Sequence, residues 1–437
     1  MRTVVVILLR SDTNVTILTA NSSCLRERRM LSAKRTREAL MSKRILVIGG
    51  GFAGFWAAVA ARRVAGYAVD ITLLSRAPKL EIRPRLYESK PDTLAVELPP
   101  LLSKLDIRFV SGEATELDAT SKVVRLVSGE PLGYDRLIVA TGSRMRRPQV
   151  PGAEEAYSVD SQAEAIALDR RLLDIAKEIK EPTIAIVGAG FTGIELALEL
   201  RDRLLKHGAA EAAECMRIVL IDRASTVGPE LGPGPRSQIE AALENARVEL
   251  RLEARISALG SNRVSFVDGS NLAADVIVLA TGMAAAPFTK QIPGERDKLG
   301  RVVVDSTLRA PAAPAVFVAG DAAMADTGDG HYALQSCQHA LQIGRVAGEN
   351  AARDLLGMPP VAYSQLRYVT CLDLGRSGAV RTEGWNRNVE LTGTEAKAIK
   401  QKINTKLIYP PVDGTAEDLL ASSMLDIDKR YALDASR

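Results

Sequence analysis

Gly49-Gly50-Gly51-Phe52-Ala53-Gly54 and Gly188-Ala189-Gly190-Phe191-Thr192-Gly193 are two copies of the glycine pattern G-x-G-x-x-G on one chain. Each follows a short apolar run, Arg44-Ile45-Leu46-Val47-Ile48 and Thr183-Ile184-Ala185-Ile186-Val187, of the kind buried in parallel sheets. Small-residue helical stretches come next, over residues 55–63 and 194–204. In such a strand–loop–helix unit the first glycine permits the tight turn and the second lets backbone approach a pyrophosphate. The third lets the helix pack close to the strand, with its amides facing the anion. Two units predict two bound dinucleotides, with electrons passing between them.

The surroundings of the loops repeat as well. Residues 69–74 and 217–222 read as second strands, while the runs over 136–140 and 274–280 end in Ala140-Thr141-Gly142 and Ala280-Thr281-Gly282. This internal duplication predicts an α/β fold of two Rossmann-like dinucleotide-binding domains. A further strand, 315–319, leads into Gly320-Asp321, and a helix is expected from about 334 to 356. The expected division puts residues 42–154 and 286–360 in one domain, with the second, 155–285, inserted into it. A small α+β region, 361–437, closes the chain, with a helix near 395–408.

Composition narrows the class. The 437 residues carry a net charge of +4, but residues 1–40 hold eight Arg/Lys against three acids. That +5 leaves −1 for the rest, so the basic balance is no argument for nucleic acid. Residues 1–41 are expected to be a disordered, inert extension, with Met41 the natural start. No apolar run approaches the ~20 residues that span a bilayer. Cys24, Cys215, Cys337 and Cys371 lack metal-ligand spacing, and only three histidines exist, so no metal site is expected and a reducing, cytoplasmic compartment fits.

The residue closing the second strand of a dinucleotide unit normally faces the adenosine ribose, where an acid accepts its hydroxyls and repels a 2′-phosphate. In the second unit this is Asp222, which favours NADH over NADPH, with Arg223 beside it. In the first unit it is Ser75, flanked by Arg76, a weaker contact. Asp321 supplies what Ser75 lacks: at a strand end it can accept a hydrogen bond from a flavin ribityl hydroxyl, the alternative being a helix N-cap. The expected flavin-binding set is therefore Gly49, Gly51, Phe52, Ala53, Gly54, Ser75, Arg76, Thr141, Gly142, Gly320 and Asp321. The expected NAD-binding set is Gly188, Gly190, Phe191, Thr192, Gly193, Asp222 and Gly282.

With these motifs in hand the chain resembles the two-dinucleotide-domain flavoproteins built like glutathione reductase, over roughly residues 42–360. The resemblance implies FAD on the first and third segments and NAD(P)H on the inserted second. Disulfide reductases and sulfide:quinone oxidoreductases of this class depend on cysteines near the flavin, yet none lies between Cys24 and Cys215. The closest likeness is to type II NADH dehydrogenases, the single-subunit NADH:quinone oxidoreductases. Arg83-Pro84-Arg85-Leu86-Tyr87-Glu88 is similar to their Q-P-L-L-Y-Q segment. Phe191-Thr192-Gly193-Ile194-Glu195 is similar to x-T-G-V-E, whose glutamate lies near the nicotinamide. Gln338-His339-Ala340-Leu341-Gln342-Ile343-Gly344 is similar to Q-x-A-x-Q-Q-G, associated with the quinone pocket.

The resemblance implies catalytic roles for Glu195, Gln338 and Gln342, a quinone or other small electron acceptor, peripheral contact with the inner face of a membrane, and room for a homodimer. Ile343 and Cys337 depart from the pattern. The stripe Ala396, Ile399, Ile403 and Leu407, ringed by Lys397, Lys400, Lys402 and Lys406, reads as a surface helix packed on its own domain, with lipid contact as the alternative. Other readings stay open: a soluble reductase feeding a ferredoxin- or rubredoxin-like protein, or a nucleotide sensor that signals through a partner.

Overall fold

The computed structural model describes residues 4–11, 14–21 and 43–424. Where a disordered extension was expected, Val4–Ser11 pairs with Asn14–Asn21 in an antiparallel hairpin forming a sheet of its own. Runs of β-branched residues, Val4 to Ile7 and Val15 to Ile17, favour such pairing over coil. Met41 and Cys24 lie outside the described residues.

Two five-stranded parallel sheets carry the body. In the first the order is Val316–Val318, Arg136–Val139, Arg44–Ile48, Asp70–Ser75, Arg108–Ser111. In the second it is Tyr157–Ser158, Val276–Leu279, Thr183–Val187, Arg217–Ile221, Val248–Arg251. Position by position these are the same sheet built twice, with the glycine-loop strand at the centre of each. The strands preceding both loops are buried almost throughout, because helices pack on one face of each sheet and a small antiparallel sheet on the other. Each unit also carries a three-stranded antiparallel meander, 114–133 and 256–273. The units are stitched where Ser143–Met145 pairs antiparallel with Met283–Ala285, each strand starting just after an Ala-Thr-Gly step.

Four helices position the site. In α1 (Phe52–Ala65) nearly every residue is buried, its alanines and glycine on close-packed faces and Phe55 and Trp56 in the core. Ser161 caps α2 (Gln162–Glu178) by accepting the Glu164 amide. Next, α3 (Phe191–Lys206) opens at the second glycine loop. Ser336 caps α4 (Cys337–Leu356), a few residues later than the sequence suggested. The C-terminal region is an antiparallel sheet of Val369–Asp373, Ala379–Glu383 and Asn388–Thr392, backed by α5 (Gly393–Lys402).

Helix α4 meets α1 backbone to backbone. A β-carbon built on Gly344 would lie 2.3 Å from the Ala53 carbonyl oxygen, and one on Gly348 only 2.0 Å from that of Ala57. Glycines four apart on α4 thus face alanines four apart on α1, and nothing larger fits. Gly348→Ala should therefore cost about 1–3 kcal/mol through overpacking. A lowered Tm of the purified holoprotein checks this, whereas an unchanged Tm would show that the helices part freely.

Candidate active site

The two glycine loops are near-identical in detail. Gly49 and Gly188 both adopt φ 114°, a left-handed conformation open to glycine. Their amides donate to Leu74 O at 2.8 Å and Ile221 O at 2.7 Å. A β-carbon on Gly49 would strike Ala140 O at 2.1 Å, and one on Gly188 Ala280 O at 2.2 Å. The Ala-Thr-Gly steps therefore lie directly against the loops, which explains why both motifs recur as a pair. Gly51 and Gly190 are the N-caps of α1 and α3, and neither helix end has a side-chain cap from its own N-cap residue. Amides at a helix N-terminus form an anion seat.

Around the first loop the structure gathers the residues expected there. Ser75 Oγ would lie 2.7 Å from a β-carbon on Gly50, so the strand end does face the loop. Arg76 follows it at the exposed rim. Gly320 packs on Ala53 so closely that a β-carbon would sit 2.7 Å from the alanine's own. Asp321, in the turn Gly320–Ala322, accepts from Ser143 Oγ at 2.5 Å. It is not an N-cap, since α4 begins sixteen residues later behind Ser336. Burial pushes its carboxyl upward, opposed by Arg83 and the Ser143 hydrogen bond. Thr141 Oγ1 is buried with no partner among the described residues, although Gly142, at φ 69°, turns the chain beside it. An unpartnered hydroxyl, an open space over Gly51 and a carboxylate in the neighbouring turn fit the pyrophosphate and ribityl chain of FAD.

At the second loop Asp222 Oδ2 accepts the Ala189 amide at 2.7 Å, and Oδ1 the Ala224 amide at 2.8 Å. The carboxylate is thereby aimed along the loop, where a ribose would meet it. Gly193 packs on Gly188 O, Thr192 is exposed, and Gly282 turns at φ 82°.

Glu195 lies one turn into α3 and is only 3 % exposed. Its Oε1 pairs with Lys400 Nζ at 2.8 Å and accepts the Asp373 amide at 2.9 Å. Asp373 in turn accepts from Tyr87 OH at 3.1 Å and from Lys397 Nζ at 2.5 Å. Lys400 also lies 5.6 Å from the Tyr87 ring and 5.5 Å from the Phe191 ring. Three separated segments thus close on one another: 83–88, the start of α3 and the C-terminal region. Burial pushes Glu195 up to about 7, with Lys400 and the Asp373 amide pulling the other way. Burial disfavours the Lys400 charge, yet Glu195 beside it leaves the ammonium above its ordinary value.

Helix α5 is oriented differently from its expected stripe. Ala396, Lys400, Asn404 and Ile408 are buried, a spacing of four sustained by a π turn over Ile403–Leu407. Lys397 and Lys400 therefore point inward to carboxylates, leaving Lys402 and Lys406 exposed.

Gln338 is half-buried on the first turn of α4, and Gln342 is buried with Oε1 unpartnered among the described residues. Between them His339 is fully buried, its Nδ1 2.9 Å from Ser336 Oγ and its Nε2 likewise unpartnered. Burial, with Arg387 and Arg301, pushes His339 down to about 4, so the imidazole is neutral. It stacks on Tyr368 at 5.3 Å; Tyr368 stacks on Trp385 at 4.6 Å and Trp385 on His331 at 4.5 Å. Burial raises the thiols of Cys337 and Cys371 to about 11, far from the thiolate that disulfide chemistry needs. The sequence reading missed Lys400, Asp373 and this aromatic column. The period-four spacing from Ala396 was the one signal for Lys400; the column is assembled from distant segments and had none.

Duplicated glycine-loop sheets and an acid-bearing turn beside the first loop define a flavoprotein reductase with two dinucleotide domains. The family model described as pyridine nucleotide-disulphide oxidoreductase matches residues 43–344. The chain is 40 % identical over 397 residues to the NADH dehydrogenase-like protein Rv1812c of Mycobacterium tuberculosis, covering 89 % of this chain and 99 % of that one. It is 31 % identical over 317 residues to the type II NADH:quinone oxidoreductase NdhA of the same organism, covering 64 % of this chain and 66 % of NdhA. The structure of NDH2 from Plasmodium falciparum in complex with NADH superposes with TM-score 0.71 at 14 % identity, covering 89 % and 98 % of the two chains. The chain belongs to the pyridine nucleotide-disulphide oxidoreductases, and within them to the type II NADH dehydrogenase family. It is an NADH-oxidising flavoprotein whose dinucleotides are FAD and NAD(H).

A carboxyl raised from 4.5 to about 7 binds more protons folded than unfolded between those values, so its contribution to stability falls as pH rises through that window. The pH profile of NADH oxidation should show an inflection near 7 that Glu195→Gln abolishes. Lys400→Met removes the charge that lowers Glu195, so the inflection should move to higher pH. An inflection untouched by Glu195→Gln would contradict the assignment.

Proposed function

We propose that this chain passes electrons from NADH to a quinone. The observation that supports the acceptor is the pair of buried, unpartnered polar atoms on the first two turns of α4, Gln342 Oε1 and His339 Nε2. A buried amide or neutral imidazole without a partner is costly unless something meets it. A quinone carbonyl accepts a hydrogen bond and a quinol hydroxyl donates one, so an amide that can turn serves both redox states.

In this reading the amides of Gly188–Gly193 hold the NADH pyrophosphate, and Asp222 accepts its ribose hydroxyls. Glu195, buried beside Phe191, positions the nicotinamide. FAD, held by Gly49–Gly54, Ser75, Arg76, Thr141, Gly142, Gly320 and Asp321, would supply the hydride acceptor and electron-pair donor. Quinone reduction also consumes protons, and Glu195 can hold one near neutrality while Lys400 balances the charge left behind. Gln338 and Gln342 orient the acceptor. A lipid-soluble quinone would be met at a membrane surface. Among the described residues no helix is long and apolar enough to cross one, so contact would be peripheral. Exposed Tyr332 and Leu334, just ahead of α4, and exposed Leu366 offer apolar side chains for it.

The second reading, a reductase of a small iron–sulfur or rubredoxin-like protein, needs no such polar atoms. Gln342→Leu removes a hydrogen bond of about 1 kcal/mol, so KM for a short-chain ubiquinone should rise several-fold. Anaerobic flavin bleaching by NADH should be unaffected. Wild-type turnover with a protein acceptor but not with quinone would favour the second reading.

A further inference from the structure

The two glycine loops share the conformation of their first glycines and the contacts these make with the Ala-Thr-Gly steps, yet the space over the second glycine of the motif differs. In the first, a β-carbon on Gly51 would meet nothing within 4 Å. In the second, a β-carbon on Gly190 would lie 2.5 Å from Glu230 Oε1. The same oxygen accepts the Phe191 amide at 2.9 Å. A carboxylate therefore sits over the gap that the second glycine opens and takes an N-terminal amide of α3. That is where the dinucleotide pattern places a pyrophosphate.

Glu230 is held in place by its backbone, although its side chain is exposed. It stands in a single turn, Pro229–Leu231, entered through Gly228, whose amide donates to Ala189 O within the glycine loop at 2.8 Å. Its carbonyl accepts from Arg387 Nη2 at 3.5 Å, and the Arg387 carbonyl lies 2.3 Å from where a β-carbon on Gly234 would be. The turn is thus braced by the loop it caps on one side and by the C-terminal region on the other.

We propose that Glu230 is a built-in competitor for the pyrophosphate seat of the NADH site, displaced as the dinucleotide binds and returning as the product leaves. The proposal rests on reading the second loop as the NADH site. Two anions cannot share one set of helix-terminal amides, so Glu230 must swing out before the pyrophosphate docks. Apparent affinity then falls by the fraction of molecules in which the seat is open. The asymmetry suits the cofactors: FAD stays through turnover and its loop is clear, whereas NAD⁺ must depart each cycle and its loop carries a replacement anion.

Binding of NAD⁺ and of ADP-ribose to the oxidised holoenzyme tests this, because neither transfers a hydride to oxidised flavin. Glu230→Ala and Glu230→Gln should bind both about three- to tenfold more tightly, and NAD⁺ release after a single turnover should slow in parallel. Glu240→Gln, an exposed acid elsewhere on the same unit, should leave binding unchanged. Unaltered or weaker binding by the Glu230 variants would overturn the proposal, since a residue that contacts the dinucleotide loses affinity on removal. Equal tightening by Glu240→Gln would overturn it too, reducing the effect to net charge. Absence of NAD⁺ binding in the wild type would instead remove the reading of the loop beneath it.

Discussion

The backbone of Ala53 is the point on which this molecule is assembled. Gly320 meets its β-carbon, and Gly344 meets its carbonyl, each at a distance that excludes any side chain. These contacts bring together three segments far apart in sequence: the first glycine loop, the turn bearing Asp321 and helix α4. With Gly348 set against Ala57, α4 is registered on α1, and its first turns, with Gln338 and Gln342, are carried to the flavin loop. Directional chemistry at that loop therefore depends on the absence of three β-carbons rather than on any polar contact. Interiors packed this closely transmit position well.

Much of this was legible because the decisive signals are local. The strand–loop–helix pattern around Gly49 and Gly188, and the Ala-Thr-Gly steps that press on both loops, need only short-range geometry to be read. The pairing of the first loop with Asp321 was legible through its chemistry, and the structure adds the reason, the Gly320–Ala53 contact. Lys400 was hidden because lysine on an amphipathic helix normally marks the solvent side. Here a buried glutamate from α3 reverses that rule by pairing with the lysine. The column of His339, Tyr368, Trp385 and His331 draws on four separate positions, so no window of sequence contains it. The amino-terminal hairpin was missed because basic composition outweighed the runs of β-branched residues, Val4 to Ile7 and Val15 to Ile17.

Electrostatics then divides the labour between the two dinucleotide units. The first presents open amides and a single carboxylate, Asp321, raised by burial. The second is crowded with acids: Asp222 along the loop, Glu230 over the helix end and Glu195 beneath it. Lys400 reaches across from the C-terminal region to balance the deepest of them. Truncating one partner of such a pair leaves an uncompensated charge, which is why the C-terminal region belongs to the site and not merely to the fold. The raised thiols of Cys337 and Cys371 complete the contrast with disulfide-using relatives of the same architecture.

The most direct test is a crystal structure of the holoprotein with NAD⁺ bound. The account predicts the FAD pyrophosphate on the Gly51 and Phe52 amides with Asp321 at the ribityl chain, the NAD⁺ pyrophosphate on the Gly190 and Phe191 amides, and the nicotinamide between the flavin ring and the Glu195–Lys400 pair. Density for NAD⁺ elsewhere, with Glu230 still bonded to Phe191, would contradict it.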